Sequence, residues 1–375
     1  MDDCATQMGR LQQAGVERGR TKRALIAVGV LMSVVAVAAF FGISRSRPST
    51  PAVSEQQARA EANEIVKHLA RLDGYPFDAR YSEGARDQAA RLAQLTKDAY
   101  DYFSVVFPDV RPLVLATFLK PADWKRNYGV PSYYPPDKRL RVATDDSPLW
   151  QSFGRIVHVA SPFDAYPRLK KTYGDERGNL QLRRFFDLFA VHELAHAFEL
   201  QSRAVLPTLW LKELFANLAL YTFVATRRPS DLANLTTFPD ALTRVGAFNV
   251  MIRLRGYTSL DDFDLHSPAG NASAPMSNEN AVWYQMRLVL LARDLFDHDG
   301  EGALERFWAF GLKQAARVQR PEDYYRENGT LDGWSAAMHT KDLEGVLGTE
   351  VSSTLARAVA DWPLIHGGAN LAGAR

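Results

Sequence analysis

Cysteine is almost absent from this chain of 375 residues, which contains only Cys4. A single cysteine excludes a disulfide framework, and it excludes a zinc site built from thiolates within the chain. Any metal must therefore be held by histidine and carboxylate side chains. Cys4 also precedes the one long apolar run and does not end it, which argues against a lipoprotein.

An excess of charge is lacking as well, since 45 lysines and arginines nearly balance 43 aspartates and glutamates and leave a formal net charge of +2. This balance gives no electrostatic reason to expect a nucleic-acid partner, and we predict none. Internal repeats are also missing. The apolar content of 46% is sufficient for one large domain or two modest ones.

The long apolar run covers residues 24–43 and carries no charge. As a helix it would span about 30 Å, the thickness of the hydrocarbon layer of a membrane. More basic residues precede the run than follow it, which predicts a cytoplasmic N-terminus. We therefore expect a cytoplasmic tail (1–23), a single-pass anchor (24–43) and an exported body on the periplasmic side of a bacterial inner membrane. A cleaved signal peptide is the alternative, because Ala36-Val37-Ala38 resembles a processing site.

A linker rich in proline and serine (44–54) precedes the body of the chain (55–375). We predict an α+β fold in which residues 55–180 form a small mixed α/β lobe with an edge strand and residues 181–375 form a larger helical lobe. In the first lobe, the apolar spacing predicts helices at 55–72 and 84–103, strands at 112–119, 139–144 and 155–160, and a loop at 128–138. In the second lobe, it predicts helices at 181–203, 208–227, 239–254, 280–297 and 302–319, followed by a C-terminal set through Trp362.

The chemistry is concentrated in the predicted helix 181–203, where His192, Glu193 and His196 form the pattern H-E-x-x-H. Positions four apart lie on one face of a helix, so both imidazoles can bind one Zn²⁺ at about 2.0–2.1 Å. Glu193 lies about 100° further around the helix and can act as a general base without binding the metal. Five-residue patterns also occur by chance, so the context of the motif matters.

That context includes Glu213 and Asn217, which lie four residues apart in the next predicted helix among large apolar residues. A carboxylate in apolar surroundings costs several kcal/mol unless it is paired or binds a metal. Two helices joined by a short turn would bring Glu213 to the histidines and form a zinc site between them. Asn217 would then accept the N–H of a ligand imidazole. The alternatives are a surface Glu213 beside Lys212 and an Asn217 that serves only in helix packing.

These residues resemble the gluzincins, the metallopeptidases that include thermolysin and the alanyl-type aminopeptidases. The resemblance rests on HELAH followed by WLKELFANLALY, which is similar to the W-L-x-E-x-x-A run of the aminopeptidase branch. It covers residues 192–221 and extends more loosely over 283–311. In that branch a later tyrosine stabilises the oxyanion, and Tyr284 is similar in position. The alternative for Tyr284 is an ordinary aromatic residue at the start of a helix.

The chain also departs from the aminopeptidases, because the G-x-M-E-N segment that holds the free amine of their substrates is absent upstream of the motif. In its place, residues 155–162 resemble the edge strand along which gluzincins align an extended peptide. The resemblance therefore implies an endopeptidase. His158, within that segment, is expected to be a structural or substrate-side residue, and metal ligation is its alternative.

Taken together, these features predict a membrane-anchored zinc peptidase that acts on peptides or proteins, with Glu193 and Tyr284 as catalytic residues. The second hypothesis is a membrane-tethered binding or assembly protein with a structural or degenerate zinc site. A third is a metal-dependent hydrolase of non-peptide amides. The intact Glu193 favours catalysis, because a structural site has no use for a base beside an open ligand position.

Overall fold

The computed structural model describes residues 66–124, 131–134, 138–160, 164–206, 208–244, 260, 263 and 278–315. Five strands lie within these ranges: β1 (Ala70–Leu72), β2 (Asp78–Tyr81), β3 (Leu115–Leu119), β4 (Ser132–Tyr134) and β5 (Arg139–Ala143). The α-helices found there are α1 (Arg86–Val106), α2 (Pro148–Ala160), α3 (Tyr166–Tyr173), α4 (Arg183–Leu200), α5 (Leu209–Arg227), α6 (Leu232–Thr243), α7 (Asn278–Asp299) and α8 (Gly302–Ala315). A 3-10 turn, Pro229–Asp231, leads into α6.

The strands form one mixed sheet in the order β1-β2-β3-β5-β4. The three central strands run parallel to one another, and the two outer strands, β1 and β4, pair antiparallel to their neighbours. The parallel strands β3 and β5 are mostly buried, as expected when helices cover a sheet. Helix α4 packs against β4 and β5, so the helix with the H-E-x-x-H motif lies beside one edge of the sheet.

An aromatic cluster joins the helices behind that motif. Phe107, the C-cap residue of α1, lies at the centre. Its ring centroid is 5.9 Å from that of Phe198 of α4, 5.6 Å from that of Phe215 of α5 and 4.4 Å from that of Trp308 of α8. Phe103, one turn earlier on α1, also contacts Phe198. Rings at these separations contribute beyond the area that they bury. The cluster therefore fixes α4 against α5, and these two helices carry the candidate site.

The strand predicted at 155–160 is wrong, because these residues form the end of helix α2. The run RIVHVA is rich in β-branched residues and reads locally as a strand. However, Trp150, Phe153 and Val157 repeat at helical spacing, and all three are buried. Burial of this apolar face on the rest of the molecule overrides the local strand preference.

The predicted edge strand is therefore elsewhere. The segment predicted as a loop, 128–138, contains strand β4, in which Tyr133 pairs with Leu140 of β5. The prolines around β4 indicate a loop when they are read alone, although an edge strand tolerates prolines at its ends. The helix predicted at 55–72 is also wrong at its end, because residues 70–72 form strand β1.

Other predicted elements are confirmed within a few residues. Strand β5 matches the prediction at 139–144, and β3 occupies the second half of 112–119. Helices α1, α4, α5, α7 and α8 match the helices predicted at 84–103, 181–203, 208–227, 280–297 and 302–319 as far as the described residues extend. Helix α6 begins before the predicted start and holds Pro239 in its interior. The C-terminal helices predicted through Trp362 lie outside the described residues.

The predicted fold class included an N-terminal transmembrane helix, and this part of the prediction is corrected. Among the described residues, no helix combines the length and the apolar character needed to cross a bilayer. The predicted tail (1–23), anchor (24–43) and linker (44–54) lie outside the described residues. The prediction of a single-pass membrane protein is therefore wrong for the part of the chain that the structure describes. The apolar helices found there, such as α5, are buried against neighbouring helices and also carry charged residues.

Gly154 allows helix α2 to approach the segment before α4. A Cβ at this position would lie 2.8 Å from the carbonyl oxygen of Leu180, so the backbone would have to shift. In an exposed helix, replacing glycine by alanine stabilises by about 0.5–1 kcal/mol. For Gly154→Ala we expect the opposite sign, a loss of about 1–3 kcal/mol in the free energy of unfolding. Urea denaturation measures it, with Gln151→Ala as a control on the same helix. A stabilised Gly154→Ala variant would show that this contact does not constrain the fold.

Candidate metal centre

His192 and His196 lie one turn apart on helix α4 and face Glu213 of helix α5. His192 Nε2 lies 3.1 Å from Glu213 Oε2 and 3.2 Å from His196 Nε2, and His196 Nε2 lies 3.5 Å from Glu213 Oε2. These atoms belong to the group of potential ligands found in the described part of the chain. The three side chains could therefore hold a metal ion.

The cluster is buried at one end and reaches the surface at the other. The side chain of His192 is 2% exposed, whereas those of His196 and Glu213 are 13% and 14% exposed. Burial acts to raise the pKa of Glu213, but the two imidazoles hold it well below its usual range. For His196, burial acts to lower the pKa, and the Glu213 carboxylate raises it above the ordinary value. The carboxylate is therefore held in its ionised form against the imidazoles.

A chain of hydrogen bonds connects His192 to Glu213 through the side-chain amides of Asn217 and Gln285. His192 Nδ1 donates to Asn217 Oδ1 at 3.0 Å, and Asn217 Nδ2 donates to Gln285 Oε1 at 3.2 Å. Gln285 Nε2 then donates to Glu213 Oε2 at 2.7 Å. Because the oxygen of Asn217 faces His192, Nδ1 carries a proton, and in the neutral imidazole Nε2 then has the lone pair. This is the tautomer that a metal ligand requires.

Gln285 contributes to this chain from a third helix, α7, and is not among the residues predicted from the sequence. Its neighbour Tyr284 was predicted as a catalytic residue, but the structure buries Tyr284 completely and packs its ring against Phe263 and Trp283. Successive residues on a helix point about 100° apart, and Gln285 is the one whose amide contacts Glu213. The structure brings Gln285 to the cluster. The only signal in the sequence is a single polar residue within the run VWYQM.

Glu193 lies on the side of helix α4 that faces the sheet. One of its carboxylate oxygens, Oε2, accepts the backbone N–H of Tyr133 on the edge strand β4 at 2.7 Å. Removal from water raises the pKa of Glu193 to about 7, against the opposing effect of His192. Glu193 is not a member of the ligand group. It lies close enough to His192 and Glu213 for their charges to affect its pKa.

Gln201 connects the end of helix α4 to the strand that carries this N–H. Its Nε2 donates to Tyr133 Oη and to the carbonyl oxygen of Leu113, each at 2.8 Å, and its Oε1 accepts the Leu113 N–H at 3.0 Å. These bonds fix strand β4 relative to helix α4. The backbone donor is therefore held in place against Glu193.

His158 lies away from the cluster, on helix α2. Its side chain is exposed, and its ring meets the edge of Tyr166 at a centroid separation of 4.8 Å. The ligand group found among the described residues does not include it. The structure therefore gives no support to metal ligation by His158.

Gln285→Leu is expected to weaken metal binding by about 10–100-fold, because it removes the donor to Glu213 and the acceptor for Asn217. The dissociation constant for a divalent metal ion, measured by competition with a chelating dye, tests this. Gln94→Leu makes the same change on the exposed face of helix α1 and is expected to have no effect. An unchanged dissociation constant for Gln285→Leu would mean that the hydrogen-bond chain does not position the ligands.

Comparison with known proteins leaves the function to be inferred from these side chains. No family model, no curated protein and no solved structure matches the chain.

Proposed function

We propose that this protein is a zinc-dependent peptidase in which His192, His196 and Glu213 hold Zn²⁺ and Glu193 is the general base. The separations of the three ligand atoms, 3.1, 3.2 and 3.5 Å, carry the proposal. A tetrahedral zinc ion with bonds of about 2.0–2.1 Å keeps its ligand atoms about 3.3 Å apart. The triangle formed by the three side chains has this size.

The chemistry of the donors supports zinc over other common ions. Two imidazole nitrogens and one carboxylate oxygen form a ligand set that catalytic zinc sites use, whereas Mg²⁺ and Ca²⁺ prefer oxygen ligands alone. In the neutral imidazole, the proton on Nδ1 of His192 leaves a lone pair on Nε2 that faces the carboxylate of Glu213. At 3.1 Å, a proton or a metal ion can bridge these two atoms, and a metal ion would bind both of them as ligands. A bound zinc ion would supply Lewis acidity, which polarises a carbonyl group and lowers the pKa of water.

Glu193 is suited to move protons beside such a site. Because Oε2 already accepts the Tyr133 N–H, Oε1 is the oxygen that takes a proton from the attacking water. The same oxygen then passes this proton to the nitrogen of the leaving amine. The N–H of Tyr133 keeps the carboxylate in one orientation through both steps.

The edge strand β4 supports a peptide as the substrate. Strand β4 pairs with β5 on one side and is the last of the sheet's strands within the described ranges. An extended peptide can add to such an edge through its main chain. Since Tyr133 of β4 contacts Glu193, a peptide bound there would pass close to the base. This arrangement favours cleavage within a peptide over hydrolysis of a small non-peptide amide.

The test uses the purified chain, a peptide library and metal analysis. We expect about one zinc ion per chain and cleavage at internal peptide bonds, identified by mass spectrometry. A chelator should abolish cleavage, and added zinc should restore it. Bound zinc without cleavage of any peptide would instead indicate a non-catalytic protein with a structural zinc site. Cleavage that is unaffected by chelation would contradict the metal-dependent mechanism.

A further inference from the structure

Gln201 directly follows the last residue of helix α4, and its side chain holds two other segments of the chain. Its own backbone is fixed by the helix, because the N–H of Gln201 donates to the carbonyl oxygen of Ala197 at 3.3 Å. Its carboxamide pairs with both main-chain groups of Leu113, as a neighbouring residue in an antiparallel sheet would. The same Nε2 also donates to Tyr133 Oη at 2.8 Å. The end of helix α4 therefore sets the position of the Tyr133 side chain.

Tyr133 is held at both of its ends by helix α4 and the residue that follows it. Its hydroxyl accepts from Gln201, and its backbone N–H donates to Glu193 Oε2 at 2.7 Å. Glu193 and Gln201 are eight residues apart, which is about 12 Å along a helix. Tyr133 therefore lies lengthwise beside α4. Any displacement of its ring would also displace the N–H that orients Glu193.

Strand β4 depends on this support because its main-chain pairing is short. It is three residues long and pairs with β5. Pro131, directly before the strand, has no N–H and cannot donate a further bond. The side chain of Leu113 is 66% exposed, so apolar packing contributes little to holding that segment. The carboxamide of Gln201 therefore has a large share in fixing both segments against α4.

We propose that Gln201 is a positioning residue for peptide hydrolysis and acts through Tyr133 on the carboxylate of Glu193. The inference rests on the proposed function, because it takes Glu193 as the general base. A misplacement of about 1 Å at a reacting centre can cost about 100-fold in rate. Gln201 acts on the base through one intervening residue, so we expect a smaller effect, of about tenfold.

The kinetic test compares two variants that break the same hydrogen bond. Gln201→Met keeps the length of the side chain and removes its bonds, whereas Tyr133→Phe removes only the bond to Nε2 and leaves Gln201 paired with Leu113. In each we expect kcat for peptide cleavage to fall about tenfold and KM to stay within about twofold, because the contact acts on the chemical step. The double variant should be no slower than the slower single variant. Gln181→Met, which breaks an amide contact to Asp175 near the other end of α4, is the control and should cleave normally.

A second measurement follows the N–H of Tyr133 itself and needs no peptidase activity. In NMR spectra of the full chain labelled with ¹⁵N-tyrosine, the signal that disappears in Tyr133→Phe belongs to Tyr133. A short hydrogen bond to a carboxylate is strong and shifts the amide proton downfield. We expect this signal to move upfield in Gln201→Met and to stay in place in Gln181→Met. A side chain that only stabilised the fold would lower the melting temperature without moving the signal.

The outcomes distinguish this inference from the proposed function. The proposed function fails if the wild-type chain cleaves no peptide, whereas the inference fails in the variants of a chain that does. An unmoved Tyr133 signal, or a wild-type kcat in both variants, would overturn it. A raised KM at unchanged kcat would also overturn it, since Gln201 would then act on peptide binding. If Gln201→Met does not fold, as judged by circular dichroism, the kinetics of Tyr133→Phe decide.

Discussion

Glu193→Gln is expected to lower the rate of peptide hydrolysis by about 10²–10⁴-fold while zinc stays bound, because the amide cannot accept the proton of the attacking water. The substitution preserves the size of the side chain, and its oxygen can still accept the N–H of Tyr133. The three ligand atoms come from other residues, so they remain in place. Initial rates of cleavage and the zinc content of the same preparation provide the two measurements.

The control for this variant is Glu176→Gln, which neutralises an exposed carboxylate near the other end of helix α4 and should turn over normally. Two results would contradict the proposed roles of Glu193. If Glu193→Gln cleaves peptides at the wild-type rate, another group removes the proton. If it loses zinc, Glu193 contributes to metal binding in a way that its position does not indicate.

Glu213→Gln should also be inactive, but it should lose the metal as well. It removes the only negative charge among the three ligands and leaves two neutral imidazoles, so we expect zinc affinity to fall by at least about 100-fold, beyond the usual effect of a supporting residue. Bound zinc stabilises the folded state, so added zinc should raise the melting temperature of the wild-type chain but not that of the variant. Zinc content after dialysis and thermal unfolding measure these effects.

Comparison of Glu213→Gln with Glu193→Gln distinguishes the role of a metal ligand from that of a general base. The first should lose zinc and activity together, and the second should lose activity alone. A Glu213→Gln chain that keeps stoichiometric zinc would show that the carboxylate is not a ligand. The proposed centre would then be reduced to the two histidines.

The sequence predicted the residues whose signal is local. His192, Glu193 and His196 fall within two turns of one helix, and Glu213 and Asn217 are polar residues at helical spacing in an apolar helix, which predicts that they share a buried face. The helices that carry them follow the same periodicity. These side chains come together because two consecutive helices pack against each other.

The contributions from distant parts of the chain could not be predicted in this way. Gln285 is a single polar residue 72 positions after Glu213. Which residue of helix α7 contacts Glu213 depends on the rotation of that helix about its axis, and tertiary packing sets this rotation. Strand β4 is three residues long and exists because β5 offers it a partner. Helix α2 is a further example in which tertiary packing decides the structure. Burial of its apolar face outweighs the strand preference of the β-branched residues in its last turn.

The hydrogen-bond chain from His192 through Asn217 and Gln285 to Glu213 can run in only one direction. Each carboxamide has one donor end and one acceptor end, so reversing either of them would place two donors face to face. The apoprotein therefore adopts the ligand geometry during folding. Binding of an ion by the proposed centre would then require little reorganisation of His192 and Glu213.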